Sequence, residues 1–134
     1  IKHVREKTFK KWTETYWKFI ENEDDPWDWY ELSGNPNITL DIIKNNPDKE
    51  WKVNAISHNP NITWDFIQNN LDNLDRDWHN ISENPNITWD IILSNPDILW
   101  NWDDISNNPN ITWDIIRDNP DKPWYWCGIS RNSK

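Results

Sequence analysis

A five-residue string, Asn-Pro-Asn-Ile-Thr, occurs four times in this chain of 134 residues, starting at Asn35, Asn59, Asn84 and Asn108. The copies are therefore 24, 25 and 24 residues apart. Self-similarity at a fixed period of this length is the signature of repeat proteins, in which each unit buries its apolar face against the next. This periodicity constrains the fold more than any other feature. It predicts four repeats, 35–58, 59–83, 84–107 and 108–131, within one domain spanning 1–134.

Each repeat opens with residues that start a helix. The threonine of the string is an N-cap candidate, because its hydroxyl can accept a hydrogen bond from a free backbone N–H of the first turn. An aspartate follows two residues later, where the helix dipole favours a negative charge. The predicted structural caps are Thr39, Thr63, Thr88 and Thr112 with Asp41, Asp65, Asp90 and Asp114. A cation ladder or acid–base pair of these aspartates is less favoured, because one carboxylate per repeat places neighbours about 9–10 Å apart.

Apolar residues flank each predicted cap. Ile38 precedes Thr39 and Ile43 follows it by four positions, which is the spacing of a hydrophobic staple at a helix start. The same pair recurs in every copy. Proline then excludes the residue before it from helical geometry, so Asn-Pro ends the segment after about two turns. The first half of each repeat is therefore predicted to be a short helix.

The second half of each repeat carries tryptophan. This segment is predicted to begin near Asp48, Asp97 or Asp121 and to run as a helix to an Ile-Ser pair. On such a helix Trp100 and Trp102 lie about 200° apart, so both of its sides carry apolar bulk, as packing between two neighbouring repeats requires. Strands are less favoured, because Asn-Gly and Asp-Gly hairpin turns are absent from the sequence.

The first 34 residues lie outside the four full copies. Residues 1–21 are predicted to form an N-terminal capping helix, because apolar side chains recur there at helical spacing. That face consists of Phe9, Trp12, Tyr16, Phe19 and Ile20. Residues 22–34 contain a partial repeat, in which Trp27 and Trp29 align with the later Trp-x-Trp pairs. The predicted architecture is an all-α, short right-handed α-solenoid.

The cap, the short apolar helix, the Asn-Pro-Asp turn and the second helix resemble the leucine-rich repeat variant family. That resemblance implies α- and 3₁₀-helices alternating in a right-handed superhelix, with the second helix partly 3₁₀. The string Asn-Pro-Asn-Ile-Thr-Trp-Asp is also similar to repeat proteins of giant DNA viruses, most of no known activity. Departures include Leu40, where other copies have Trp, and Leu71, which replaces a proline in the lengthened second copy. That copy is expected to stack irregularly.

Composition limits the partners and the chemistry. Residues 1–20 are basic, but the remainder carries 21 acidic against eight basic residues, so we expect no binding to nucleic acid. No apolar run approaches the length of a membrane span, and no signal peptide is evident, so we expect no membrane and an intracellular, host-cytoplasmic or virus-associated location. One cysteine, Cys127, and three scattered histidines offer no metal-ligand pattern. No catalytic, cofactor-binding or metal residue is predicted.

Function in repeat arrays usually depends on positions that vary between copies. In the third copy Leu93, Ile98 and Leu99 are apolar where the other copies are mostly polar, and they form the candidate interaction patch. The favoured hypothesis is a non-enzymatic scaffold that binds a host or viral protein or its own copies. A carbohydrate-binding module with exposed tryptophans and an acidic decoy of a nucleic-acid-binding protein are alternatives. Asn-Ile-Thr is also an N-glycosylation sequon, although capping explains it without glycans.

Overall fold

The computed structural model describes residues 2–22, 26–70 and 78–131, in which ten α-helices and no strand occur. The prediction of an all-α fold is thereby confirmed. The helices are α1 (Lys2–Asn22), α2 (Trp29–Gly34), α3 (Leu40–Asn45), α4 (Val53–Ile56), α5 (Trp64–Asn69), α6 (Trp78–Glu83), α7 (Trp89–Ser94), α8 (Trp102–Asn107), α9 (Trp113–Asp118) and α10 (Trp126–Ile129). The second helices α4, α6, α8 and α10 are α-helical throughout, so the implied 3₁₀ character is not found in these ranges.

The chain divides into two compact units, Ile1–Ile62 and Thr63–Lys134. The first contains α1 to α4, and its second helices α2 and α4 pack on each other. The second contains α5 to α10, with α8 packed against both α6 and α10. The predicted irregularity at Leu71 lies outside the described residues.

The first helix of every repeat begins at its threonine. Thr39 is the N-cap of α3, and its side-chain oxygen accepts a hydrogen bond from the Ile42 N–H. The same bond forms at Thr63, Thr88 and Thr112. The isoleucines on either side of each cap are buried, as Ile111 and Ile116 illustrate at 0% and 3% exposure. Local cap chemistry and burial of this pair together position each first helix.

The second helix begins later than its sequence suggests. Helices α4, α8 and α10 start five residues after Asp48, Asp97 and Asp121, so the predicted starts are wrong. The residues between form a turn, in which the Trp100 N–H donates to the Ile98 carbonyl and the indole Nε1 donates to the Asn95 carbonyl at 3.0 Å. Because Trp100 precedes α8, it does not share a helix with Trp102. The proposed two-sided helix is therefore also wrong.

A buried asparagine joins successive repeats within each unit. The Asn59 side-chain nitrogen lies 2.9–3.1 Å from the carbonyl oxygens of Ser33, Asn35 and Ile38. In the second unit the Asn108 side-chain nitrogen contacts the equivalent carbonyls at 2.8–3.1 Å. Both asparagines are fully buried. Each also closes its own turn, since the side-chain oxygen accepts the N–H of the residue two positions on.

Helix α1 exists as predicted, but only Ile20 of the predicted face is buried, and Tyr16 is partly buried. Thr13, Trp17 and Ile20 are buried, whereas three members of the predicted face, Phe9, Trp12 and Phe19, are exposed. The reason is a tertiary contact that helical spacing does not reveal. The Trp17 ring lies 5.7 Å from that of Trp51, so burying this pair sets the rotation of α1.

Candidate interaction surface

The polar residues that repeat are occupied by structural hydrogen bonds. Besides Asn59 and Asn108, the Asn61 amide donates to the carbonyls of Pro36 and Ile38 at 2.7 and 3.0 Å. Asn110 makes the equivalent bonds in the second unit. Asn61 and Asn110 are sequon asparagines, so a glycan on either nitrogen would replace a hydrogen that bonds the preceding repeat. These side chains therefore serve the fold and leave little polar chemistry for a site.

Most tryptophans form three clusters. Cluster 1 is Trp17, Trp29 and Trp51; cluster 2 is Trp64, Trp78 and Trp100; cluster 3 is Trp89, Trp102 and Trp124. In each cluster the central ring comes from the turn before a second helix and lies 5.2–5.8 Å from the other two. The central indole Nε1 donates to an asparagine carbonyl five residues earlier. These rings pack the repeats, so they do not form an open platform.

Helix α1 packs against the first repeat in the place that a preceding repeat takes in the later copies. Trp17 occupies in cluster 1 the place that the first residue of a first helix, Trp64 or Trp89, occupies in clusters 2 and 3. Tyr16 accepts a hydrogen bond from the Asn35 side chain, whose counterparts Asn59 and Asn108 reach backbone carbonyls. The helix thus satisfies the first repeat in place of a preceding one.

Three tryptophans differ from the rest in exposure. Trp12, Trp113 and Trp126 are 58%, 56% and 59% exposed. Trp12 lies on α1, where its Nε1 donates to Asn37. Trp113 and Trp126 begin the two helices of the last repeat, at positions where the second and third copies have partly buried tryptophans. The sequence did not single out these two rings, because their residue type and register match those of the cluster members.

The structure places the predicted patch as two separate features. Leu99 is 82% exposed and lines a shallow depression of about 310 Å³ with Trp78, His79, Trp100 and Asn101. Leu93 is half exposed but lies on α7 and does not line this depression, and Ile98 is partly buried. Of the predicted patch, only Leu99 lies at a concave apolar surface, which it forms together with the first residues of α6.

A histidine–carboxylate pair adjoins this depression. His79 Nδ1 lies 2.6 Å from Asp104 Oδ2, and the Asn101 amide approaches the same ring at 2.9 Å. Sequence reasoning missed this pair; its only signal is a separation of 25 residues, one more than the 24 that separate Trp78 from Trp102. His79 is largely exposed, and no nucleophilic hydroxyl or thiol contacts it among the bonds that the structure gives. The contact between His79 and Asp104 joins α6 to α8, and its exposure suits this structural role better than acid–base catalysis.

A second depression, of about 640 Å³, lies between α1 and α3. Phe9, Trp17 and Ile42 provide its apolar surface, while Lys10 and Glu21 are among the charged residues at its edge. It is wide and its charges are of both signs. It offers an aromatic surface to a partner but no convergent set of polar groups for a small substrate.

Arg117 and Tyr125, two titratable residues of the last repeat, lie on the surface. Arg117 pairs with Asp118 and Asp114 at 2.9 Å each, and the hydrogen bond to Asp118 is the main reason that the pKa of Arg117 is raised. A hydrogen bond with the exposed Cys127 raises the pKa of Tyr125. Within the described ranges no three His, Cys, Asp or Glu side chains come together to hold a metal ion. None of the described helices is long and apolar enough to span a bilayer.

Comparisons of the chain with protein-family models, with curated proteins and with solved structures find no match. The candidate surface is therefore defined by this structure alone. It comprises Leu99 with its neighbouring depression, the Trp113 and Trp126 rings, and the exposed aromatic side of α1.

Proposed function

We propose that this protein is a non-enzymatic repeat scaffold that binds another protein through apolar side chains at positions that vary between repeats. The observation that carries the proposal is Leu99, an 82% exposed leucine beside an apolar depression. The equivalent residues in the first and last copies are Glu50 and Pro123. Leu99 is thus not required by the repeat, and its side chain extends the apolar surface of the depression, as apolar patches at protein-interaction sites do.

The expected architecture supports this reading. Identical asparagine bonds between successive repeats occur in both units, as a short right-handed solenoid built on one repeating interface requires. The resemblance to leucine-rich repeat variants and to giant-virus repeat proteins belongs to the same proposal. Solution scattering of the chain tests the solenoid, which predicts an elongated particle of constant cross-section.

The test of binding exploits the repeat itself. Leu99→Glu gives the third copy the residue that the first copy already carries at Glu50, so the fold should tolerate it. Affinity capture from the native cell should recover a protein with the unmodified chain and with a control variant, Glu50→Gln, but not with Leu99→Glu. Equal recovery by all three, with unchanged circular dichroism, would remove Leu99 from the proposal.

A carbohydrate-binding module is the second candidate, and the exposed rings of Trp12, Trp113 and Trp126 favour it. Aromatic faces left in water are the usual platforms for sugar rings, and each indole edge still carries polar character. Glycan binding should shift the emission of the quencher-accessible tryptophans without affecting the buried ones. If no glycan changes that emission and Leu99→Glu abolishes capture, the scaffold is favoured.

A further inference from the structure

The third repeat differs from the first and the last in its charge. Residues 84–107 contain four aspartates and no lysine or arginine, whereas residues 35–58 and 108–131 each contain three acidic and three basic residues. Two of the four aspartates, Asp90 and Asp97, are exposed on α7 and on the turn that follows it. This repeat therefore presents negative charge that no lysine or arginine of its own neutralises.

The last repeat shows how the same positions are neutralised within one repeat. Arg117 pairs with Asp114 at 2.9 Å, and Lys122 pairs with Asp121 at 3.2 Å. The first repeat has lysine at both of these cation positions. The repeat thus provides two places at which a cation can stand beside an aspartate.

The third repeat has apolar side chains at both places. Leu93 and Ile98 occupy the two cation positions, and Asp90 and Asp97 occupy the positions of the acidic partners. Among the ion pairs of the described residues, none joins Asp90 or Asp97 to a lysine or arginine. Leu93 is 50% exposed. A partner that complements this acidic surface must therefore carry cations beside apolar side chains.

Helix α1 carries that combination. Its sequence has six Lys or Arg against three Glu. Val4, Lys7, Lys11 and Lys18 fall within about 60° of one another at the helical rotation of about 100° per residue, and all four are exposed. Phe19 borders this stripe and is 58% exposed. These five residues form the cationic face of α1.

The first repeat already holds α1 in place. The Trp17 ring lies 5.7 Å from that of Trp51, and Tyr16 accepts a hydrogen bond from Asn35. The cationic face is therefore displayed on an ordered helix, which lowers the entropy that association must overcome. Both this face and the acidic surface of the third repeat are exposed to solvent, so each is available to another molecule.

We propose that the cationic face of α1 in one copy of this protein docks on α7 and the following turn of the third repeat in a second copy. The lysines of the face neutralise Asp90 and Asp97, while its apolar side chains cover Leu93. Because the two surfaces are unlike, the contact is exchanged within a pair of copies or continued from copy to copy. This inference rests on the proposed protein-binding function, of which it names the partner.

Sedimentation velocity of the full chain tests the association itself. The average mass should rise above the monomer value of 16.4 kDa as the concentration increases. Raising the ionic strength from about 0.1 M to about 1 M shortens the Debye length from about 10 Å to about 3 Å, so it should weaken the association. An association that salt leaves unchanged would contradict the role of the charges.

The cationic face is tested by reversing two of its charges. Lys7→Glu with Lys11→Glu should weaken the association by at least about tenfold. The matched control, Lys44→Glu with Lys52→Glu, makes the same change in net charge at exposed lysines of the first repeat and should leave it nearly unchanged. Equal weakening by both pairs would show general repulsion and overturn the docking face.

The acidic surface is tested with residues that the last repeat already uses. Leu93→Arg with Ile98→Lys places cations beside the two aspartates, so the fold should tolerate the change and the association should be lost. Circular dichroism checks the fold; if it changes, Asp90→Asn with Asp97→Asn, at two exposed positions, makes the same test.

Mixing the variants tests whether the two surfaces meet each other. The Lys7→Glu, Lys11→Glu chain keeps the acidic surface, and the Leu93→Arg, Ile98→Lys chain keeps the cationic face. Each should remain monomeric alone, and together they should form a complex of two chains. No complex on mixing overturns the proposed contact.

The outcome is distinguishable from that of the Leu99→Glu capture test. A chain that stays monomeric up to about 1 mM, while Leu99→Glu still abolishes capture of another protein, overturns this inference and leaves the proposed function standing. Self-association that Lys7→Glu with Lys11→Glu removes, with equal capture by the unmodified and Leu99→Glu chains, supports the inference and removes Leu99 from the proposed function.

Discussion

Replacing Asn108 with alanine tests whether the buried asparagines hold the repeats together. Its side-chain nitrogen contacts the carbonyl oxygens of Ser82, Asn84 and Ile87, and its side-chain oxygen accepts the Asn110 N–H at 2.8 Å. All of these groups lie in the second unit. Alanine removes every one of these bonds and leaves a space that is closed to water, because Asn108 is fully buried.

The stability lost in Asn108→Ala depends on which hydrogen bonds the former partners of Asn108 keep. The Asn84 carbonyl still accepts the Ile87 N–H, and the Ile87 carbonyl still accepts the Asn110 amide. The Ser82 carbonyl and the Asn110 N–H lose the partner that Asn108 gives them. A buried group without a partner costs about 1–3 kcal/mol, and the shared bonds contribute about 0.5–1.5 kcal/mol more. We expect Asn108→Ala to lower the free energy of unfolding by about 3–5 kcal/mol, which is a large part of the usual total.

The neighbouring Asn107 provides the matched control, because it is exposed and makes one bond at 3.2 Å to the Asp103 carbonyl. Asn107→Ala should cost about 0.5 kcal/mol or less. Urea unfolding followed by circular dichroism and by tryptophan emission measures both. Equal, small losses for the two variants would refute the claim that Asn108 joins the repeats.

Three further substitutions test other parts of the repeat by the same unfolding assay. Trp124→Ala should cost about 3–5 kcal/mol because it empties the centre of a cluster, and Trp126→Ala less than about 1 kcal/mol because that ring is exposed; similar costs would contradict the cluster. Ser106→Ala should cost about 1–3 kcal/mol, since it removes the acceptor of a backbone N–H, whereas Ser130→Ala should be nearly neutral. Thr112→Ala should cost about 1 kcal/mol and Thr112→Ser almost nothing, and an equal loss in both would argue against the cap.

The start of each first helix could be predicted from the sequence. The threonine that starts α3 and the buried Ile38 and Ile43 around it depend on residues at most four positions apart, so a sequence pattern is sufficient to locate them. The late start of α8 was not readable, because it depends on an indole bond from Trp100 to the Asn95 carbonyl that competes with continuing the helix. Periodicity alone does not weigh that competition.

The repeat period predicts that neighbouring repeats pack on each other, but not which residues make the contacts. The bonds from Asn59 to carbonyls 21–26 residues earlier are visible only in the structure. The rotation of α1 was missed for a similar reason. Aromatic residues lie on several sides of this helix, and only the position of Trp51 selects Trp17 for burial.

The candidate surface was predictable only where a copy departs from the others. Leu99 stands out because its counterparts in the first and last copies are Glu50 and Pro123, and it is exposed. Trp113 and Trp126 do not stand out, because they obey the repeat and differ from their counterparts only in their greater exposure.

The central claim is that repeated residues build the stack and that exposed residues remain free to bind. Hydrogen exchange of the indole N–H groups, followed by NMR on the full chain, tests it most directly. The account predicts slow exchange at Trp51, Trp100 and Trp124, whose indoles donate to backbone carbonyls, and fast exchange at Trp113 and Trp126. Uniform rates at all five, or protection of Trp113 and Trp126 in the isolated monomer, would contradict it.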